Sequence, residues 1–403
     1  MGEIRATRAL GLASPWRLRR RRSMIAPLFA SVVALALGFA NMTGQATASA
    51  TGQLAATPLA KATCSSTKTG NEAIVDLDSH KSFARLRTVC IGTLYGIGVI
   101  DGDALFVLHH FGPARDPITQ VVRIDLTTYA VARSVPFVGV GGIFAGLGAI
   151  WVVTDSSAWN LLQLSPVSLR VLHRLADPDR AWNFLPFAGR LWYIDNYSLK
   201  TLNPTDGRIS TTDLSWLPAG LSLLNVTSSG GELYLLASVP FAPGAAWAIA
   251  TYNPVSGAHR VVRQPEFSGG QDFLGVTGRV LWVRSYRGID VYGVSAYSAR
   301  SLRPLTSGFV GVGPNSGWMA GPDAGDLWFQ LAGSPLECAS GKTGRLDARL
   351  RLPYHNLTEA TPQPQGFVAA DRSNLIVAAT MLRGAYPSES GIAVYKLDPR
   401  CRA

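Results

Sequence analysis

The chain has 403 residues, 47% of them hydrophobic and only 16% charged, with a formal net charge of +11. That composition can bury a large core and excludes a disordered chain. Seven arginines and a single carboxylate, Glu3, fall in the first fifty residues, which leaves the remainder near +5. The other cationic residues are scattered instead of forming a stripe, which argues against a nucleic-acid partner.

Residues 1–50 read as an export signal. Arg5, Arg8, Arg17 and the run Arg19, Arg20, Arg21, Arg22 make a basic leader, residues 24–40 are apolar, and Ala48-Ser49-Ala50 is a small-x-small cleavage site. The apolar run is short for a bilayer span and contains the helix breaker Pro27, so removal is expected. A membrane anchor follows only if the segment stays uncleaved. Arg21-Arg22-Ser23-Met24-Ile25 also fits a loose twin-arginine pattern, leaving two export routes open. The expected location is secreted or extracytoplasmic. Residues 51–72 form an Ala/Thr-rich lead, and 73–403 are expected to be one domain.

From there one pattern recurs seven times, at spacings of 41 to 48 residues between its aligned central positions. The second strand of each unit reads Ala104-Leu105-Phe106-Val107, Ala149-Ile150-Trp151-Val152, Arg190-Leu191-Trp192-Tyr193 and Glu232-Leu233-Tyr234-Leu235. Val280-Leu281-Trp282-Val283, Asp326-Leu327-Trp328-Phe329 and Asn374-Leu375-Ile376-Val377 continue the series. These strands are apolar on both faces, as a strand buried between two sheets must be. Third strands alternate: Val122, Ile124 and Leu126 face one way, Arg123 and Asp125 the other. Asn203-Pro204-Thr205-Asp206-Gly207 and Asn253-Pro254-Val255-Ser256-Gly257 are hairpin turns, proline presetting one φ and glycine taking a positive one. No stretch sustains a helical period.

Units of this length are single four-stranded blades, so the expected fold is all-β, a seven-bladed propeller. The last unit ends after its third strand, at 391–397. Open edges at the join are avoided if residues 73–78 or 83–89 supply the missing strand, making a blade shared between the chain ends. Cys64 and Cys401 flank that join and are expected to pair; Cys90 with Cys338 follows by elimination.

The blade motif, Gly-x-[Ala/Arg]-[Ile/Leu]-Trp-[Val/Tyr] followed by Leu-x-x-[Leu/Tyr]-[Asn/Ser]-Pro, resembles the exported seven-bladed propellers of the YVTN and streptogramin-lyase-like superfamily. The resemblance covers nearly the whole mature chain but consists of structural residues, and such folds host lyases, binding proteins and others. In the lyases it implies histidine, glutamate and a magnesium ion on one face. No glutamate stands at the aligned strand ends here, so no catalytic residue and no cofactor is carried over.

Ligands of a propeller meet the loops that follow each second strand. Just past the aromatic positions stand His109 and His110, Thr154 and Asp155, Asp195 and Asn196, Ser285 and Tyr286. Arg284 and Gln330 occupy a layer that is apolar in the other units, where a charge must be paired or face a wet channel. His109, His110, Asp155, Asp195, Asn196, Arg284, Tyr286 and Gln330 are therefore the candidate ligand-binding residues. Adjacent histidines share one metal ion only if their strand has ended, so no metal site is expected. No Gly-x-Ser-x-Gly or His-Glu-x-x-His occurs, and Gly341-Lys342-Thr343 falls at a hairpin position instead of in a phosphate loop. The sequons at Asn196, Asn225 and Asn356 are short patterns that arise by chance.

The leading expectation is a monomeric exported binding or scaffold module for a small molecule, glycan or protein. The alternative is a lyase-like enzyme with acid/base residues at the channel mouth. A polysaccharide binder would use Tyr286, Trp318 and Trp182 as exposed aromatics.

Overall fold

The computed structural model describes residues 73–76, 82–90, 93–111, 118–139, 141–155, 159–176, 179–181, 183–239, 246–264, 271–287, 291–305, 310–313, 318–320, 325–330, 336–351, 366–370, 375–383 and 386–395. Before residue 98 and after residue 350 only the backbone is described. The expected signal and lead, 1–72, lie outside the described residues.

Every regular element among the described residues is a strand. The strands form six hydrogen-bonded sheets. Five are antiparallel meanders in chain order, spanning 93–138, 143–176, 185–211, 222–264 and 271–313; they are called here the first to fifth sheets. The sixth holds nine strands. It runs Trp318–Ala320, Leu327–Gln330, Leu336–Ala339, Leu346–Arg351, then Ala73–Asp76 and Ser82–Cys90, then Tyr386–Tyr395, Leu375–Arg383 and Gly366–Ala370.

The expected closure between chain ends is present. Ser82–Cys90 pairs antiparallel with Tyr386–Tyr395, Arg87 opposite Val394 and Cys90 opposite Gly391, so the second of the two proposed N-terminal segments completes the last set of strands. The expectation of seven separate blades is corrected. Ala73–Asp76 pairs with Ser82–Cys90 on one side and with Leu346–Arg351 on the other, so the last two sets of strands are fused into one sheet and six sheets remain. The unused donors and acceptors on the outer edge of Leu346–Arg351 are the physical reason, since an exposed edge recruits any strand within reach.

First strands of successive sets contact one another around the molecule. The series runs from Trp318–Ala320 through Gly366–Ala370, Thr93–Asp101, Ile143–Gly146, Leu185–Phe187 and Ser222–Ser229 to Gln271–Thr277. This is the arrangement of a β-propeller.

The core lies between sheets. Phe106, Leu108 and Val121 pack on Ile150, Val152 and Leu162; Trp151 and Val153 pack on Leu191 and Tyr193. Trp192 meets Leu233 and Leu235, Tyr234 and Leu236 meet Leu281 and Val283, and Trp282 meets Leu327 and Phe329. Alternate residues of one second strand thus cover two different neighbours, which is why these strands are apolar on both faces. The indoles also bind backward along the chain. Trp151 Nε1 donates to the Gly146 carbonyl and Trp192 Nε1 to the Phe187 carbonyl, both at 3.0 Å, and Trp282 Nε1 donates to Thr277 Oγ1 at 2.7 Å. Each bond ties a second strand to the preceding one and satisfies a donor that burial would otherwise strand.

The turn between third and fourth strands is built the same way six times. The amide of the fifth residue donates to the carbonyl of the first: Tyr129 to Asp125, Leu169 to Ser165, Gly207 to Asn203, Gly257 to Asn253, Leu302 to Ser298 and Gly344 to Ser340, at 2.7–2.9 Å. The first side chain caps the turn, as where Asn253 Oδ1 accepts from the amides of Val255 and Ser256 at 2.9 and 3.0 Å. Gly341-Lys342-Thr343 belongs to this series, so its reading as a turn holds. The fifth residue has φ near +60° to +70° throughout. Of the three that are not glycine, Leu169 and Leu302 bury their side chains almost completely and Tyr129 is half-buried, and burial offsets the backbone cost.

Gly341 also serves the contact between the fifth and nine-stranded sheets. Its carbonyl accepts from the Arg279 amide and its amide donates to Asp326 Oδ1, both at 2.8 Å. A Cβ there would overlap the Gly325 carbonyl oxygen and crowd Thr277. A Cβ at Gly257 would meet no atom within 4 Å, leaving only the cost of its positive φ. Gly257→Ala is therefore expected to cost about 1–2 kcal/mol in denaturant unfolding, and Gly341→Ala measurably more, with equal losses contradicting the role assigned to this contact.

Candidate functional site

In an antiparallel meander the connection after the second strand lies at one end of the sheet and the first-to-second and third-to-fourth hairpins lie at the other. All eight candidate residues fall toward the first of these ends in their own sheets.

His109 is buried on Ala104–Phe111, opposite Gln120. Arg133 Nη1 lies 3.3 Å from His109 Nδ1. A guanidinium can only donate, so Nδ1 accepts and the neutral ring carries its proton on Nε2. Ser134 beside it is locked as well: its hydroxyl accepts from the Val121 amide at 2.9 Å and its carbonyl from Gln120 Nε2 at 3.1 Å. His110 follows within the same strand, which runs on to Phe111, so the condition for a shared metal ion is not met. Among the described residues no group of three or more His, Cys, Asp or Glu is placed to hold a metal ion.

Asp195 ends the strand Arg190–Asp195 and enters a tight turn in which Asn196 and Tyr197 have φ of 45° and 63°. Two successive positive φ values define the hairpin turn whose twist suits flanking strands, and asparagine is a preferred occupant. Asn196 thus has a backbone reason to be where it is. Asp195 belongs to a polar cluster that the sequence reading missed. Lys200 Nζ donates to Asp195 Oδ2 at 2.6 Å and to Asp179 Oδ2 at 3.0 Å, and the Tyr193 hydroxyl donates to the same Asp179 oxygen at 2.6 Å. Lys200 and Asp195 come from one hairpin, whereas Asp179 comes from the crossover between the second and third sheets, so the cluster pins that crossover. Only the register Asp195↔Ser198 of a two-residue turn, which places Lys200 beside Tyr193, could have signalled it.

Burial works to raise the Asp179 carboxyl, but the bonds from Tyr193 and Lys200 outweigh it and hold its pKa below the usual carboxylate value. The Lys200 ammonium is held above its ordinary value by its bonds to Asp195 first and to Asp179 second. A lysine so held is a fixed positive charge and not a base at neutral pH.

Asp155 directly follows Ala149–Thr154 and is half-buried. Arg284 is half-buried on Val280–Arg287, in register with Asp272 and Val294 and on the strand face of Trp282. Tyr286 and Gln330 lie on their expected strands, and Trp318 begins Trp318–Ala320, but their side chains lie outside the described residues, as does Trp182 altogether. Glu337, unremarked in the sequence, is 8% exposed on Leu336–Ala339. Burial pushes its pKa up against the opposing pull of Arg349, and its Oε2 has no hydrogen-bond partner among the described residues. His109 and Asp195 are not brought together: the second sheet stands between theirs. Among the cysteines, Cys338 is fully buried, Cys90 is described by its backbone, and Cys64 and Cys401 lie outside the described residues.

Fold and surface together define a β-propeller with a polar, internally braced end. No family model and no curated protein matches the sequence. Among solved structures it is similar to the β-propeller domain of Cps50 (Swd1) from Myceliophteria thermophila, at 13% identity and a TM-score of 0.48, over 78% of this chain and 99% of that one. It is also similar to BamB from Moraxella catarrhalis, at 9% identity and a TM-score of 0.42, over 80% and 99% of the two chains. Hsv2 from Kluyveromyces lactis matches at 10% identity and a TM-score of 0.44, over 71% and 93%.

The lowered Asp179 pKa gives stability that is complete above the unfolded carboxylate value near 3.8 and is lost as pH falls through the folded value below it. Asp179→Asn should lower stability at neutral pH by about 1 kcal/mol and flatten the acid limb of the stability profile. An unchanged acid limb would remove Asp179 from the brace.

Proposed function

We propose that this chain is an exported propeller that acts as a ligand-binding or scaffold module through the end bearing His109, Asp155, Asp195 and Arg284. One observation carries the reading. The polar groups described there are held by partners within or next to their own sheets, His109 by Arg133 and Asp195 by Lys200, instead of converging as an acid and a base on one reacting atom. Side chains fixed in this way form a pre-organised surface, which lowers the ordering cost of binding. An enzyme of the lyase-like class needs the opposite, a titratable pair within reach of one substrate. Kinship with the YVTN and streptogramin-lyase-like propellers rests on the blade motif, and that motif is accounted for by packing.

Export is supported by the leader pattern and by the oxidation state expected of the cysteines. On this reading the fully buried Cys338 is one half of a disulfide. The proposed pairs stay Cys64 with Cys401, which flank the join between the chain ends, and Cys90 with Cys338 by elimination. Non-reducing peptide mapping of the exported protein should recover both pairs and an N-terminus after Ala50; a free thiol at Cys64 would remove the proposed staple.

The binding reading is tested by placing a photo-crosslinking residue at Asp155 or Asn196, and for comparison at Thr205 or Asp206 on the opposite end, in the exporting cell. A single adduct is expected from the first pair, absent from the second, and lost in a Lys200→Met background. Equal capture at both ends, or none at the first, would overturn the assignment of this end.

A further inference from the structure

The opposite end of the molecule carries a cleft that the sequence reading did not anticipate. It lies between the fourth and fifth sheets, encloses about 910 Å³, and is walled by four hairpins. Gly230 and Glu232 come from the first-to-second hairpin of the fourth sheet and Arg279 from that of the fifth. His259 and Arg260 begin the fourth strand of the fourth sheet just past its third-to-fourth turn, and Arg300 comes from the third-to-fourth turn of the fifth sheet. The volume is in the range of small-molecule sites.

Its charge is one-sided. Arg260, Arg279 and Arg300 line it, and among the described residues Glu232 is its only carboxylate. No ion pair of these three arginines occurs among the described residues. The turns that carry them are completed by backbone bonds, among them Arg279 N to Gly341 O and Ala299 N to Arg279 O, at 2.8 and 2.9 Å. The guanidinium groups therefore have no part in holding the hairpins, and the three residues line one concavity from three separate segments, Arg279 and Arg300 from turns and Arg260 from the start of a strand. His259 is stacked on Trp216 with ring centroids 4.3 Å apart and planes 13° from parallel. Its Nδ1 lies 3.2 Å from the Gly257 carbonyl, which can only accept, so Nδ1 donates, Nε2 of the neutral ring is an acceptor, and donation to an oxyanion is left to the arginines. The Tyr234 ring closes the wall from within, 6% exposed.

We propose that this inter-sheet cleft is a binding site for a small ligand bearing two or more oxyanion groups, phosphate or carboxylate, clamped by Arg260, Arg279 and Arg300. The guanidinium fork matches both anions bidentately, and arginine is less strongly hydrated than lysine, so it gives up less water on binding. Lone surface arginines do not make such a site; the convergence of three from separate segments does, on a cleft that is net positive with one carboxylate among its described residues. Spacing along the chain hides this arrangement, because Arg260, Arg279 and Arg300 are brought together only by the packing of one sheet on the next.

The test uses pyrophosphate and citrate as probes, titrated calorimetrically into the intact chain at constant ionic strength, with chloride as the reference anion. Saturable binding of either probe is expected, and the stronger of the two tells phosphate from carboxylate. Arg260→Gln, Arg279→Gln or Arg300→Gln should each weaken binding about tenfold or more, whereas Arg208→Gln, in the equivalent turn of the third sheet, should leave it unchanged. Unaltered thermal unfolding of the glutamine variants would show that the loss is not one of folding. Binding of neither probe, binding that does not saturate, or equal loss in Arg208→Gln would overturn the proposal. Because the crosslinking test reads the other end, failure of one assignment does not disturb the other.

Discussion

A strand that is apolar on both faces must be covered twice, and in a flat sheet only one cover is at hand. The second strands here meet that demand by alternation: Trp151 and Val153 turn toward Tyr193 of one neighbour while Ile150 and Val152 turn toward Phe106 and Leu108 of the other. Each sheet is at once cover and covered. The requirement has no natural end in an open stack, since the outermost sheets would leave an apolar face in water, and a closed circuit removes both exposed faces together. The remaining features, from the tight hairpins to the shared strand, serve that closure.

This explains what was legible in advance. Leu105, Ile150, Leu191, Leu233, Leu281 and Leu327 are each at or below 1% exposure, and the aromatic that follows each is almost as deeply buried. Such positions announce themselves by recurrence because every sheet poses the same packing problem. The turn from Asn203 to Gly207 was equally readable, since capping oxygen and positive φ have a local chemistry. The role of Ser82–Cys90 could be narrowed to two segments but not chosen between, because the choice depends on which edge is free once the circuit has formed. The fusion made by Ala73–Asp76 was invisible for the same reason.

The candidate site was less legible, and the reason is physical. Position past a strand end identifies a residue as near one end of the ring, but its partners come from other strands and other crossovers. Asp195 looked like a solvated ligand group and is a member of a brace whose second carboxylate, Asp179, comes from the crossover that precedes its own sheet. Asn196 looked polar for function and is placed for its backbone. His109 stood out through its neighbour His110, yet the group that fixes its tautomer is Arg133, on the fourth strand of the same sheet.

The two ends of the ring differ because their connections are satisfied differently. Third-to-fourth turns close largely on themselves: backbone bonds, the first side chain and a hydroxyl or carboxylate at the fourth position meet the demand, as where Asn253 Oδ1 accepts from Val255 and Ser256 and Ser256 Oγ accepts from the Ala258 amide. Acidic side chains such as Asp125 and Asp206 are used in that closure, whereas the guanidinium of Arg300 takes no part in it and is released to face solvent or a ligand. The crossovers at the other end join separate sheets and lack a local closure, so side chains such as Asp179 and Lys200 are drawn in to hold them. A polar residue at that end is therefore first a brace, and its availability to a ligand is limited to the atoms the brace leaves over. The arginines of the inter-sheet cleft carry no such obligation, which is why a surface with fewer conspicuous motifs has the greater capacity to bind an anion.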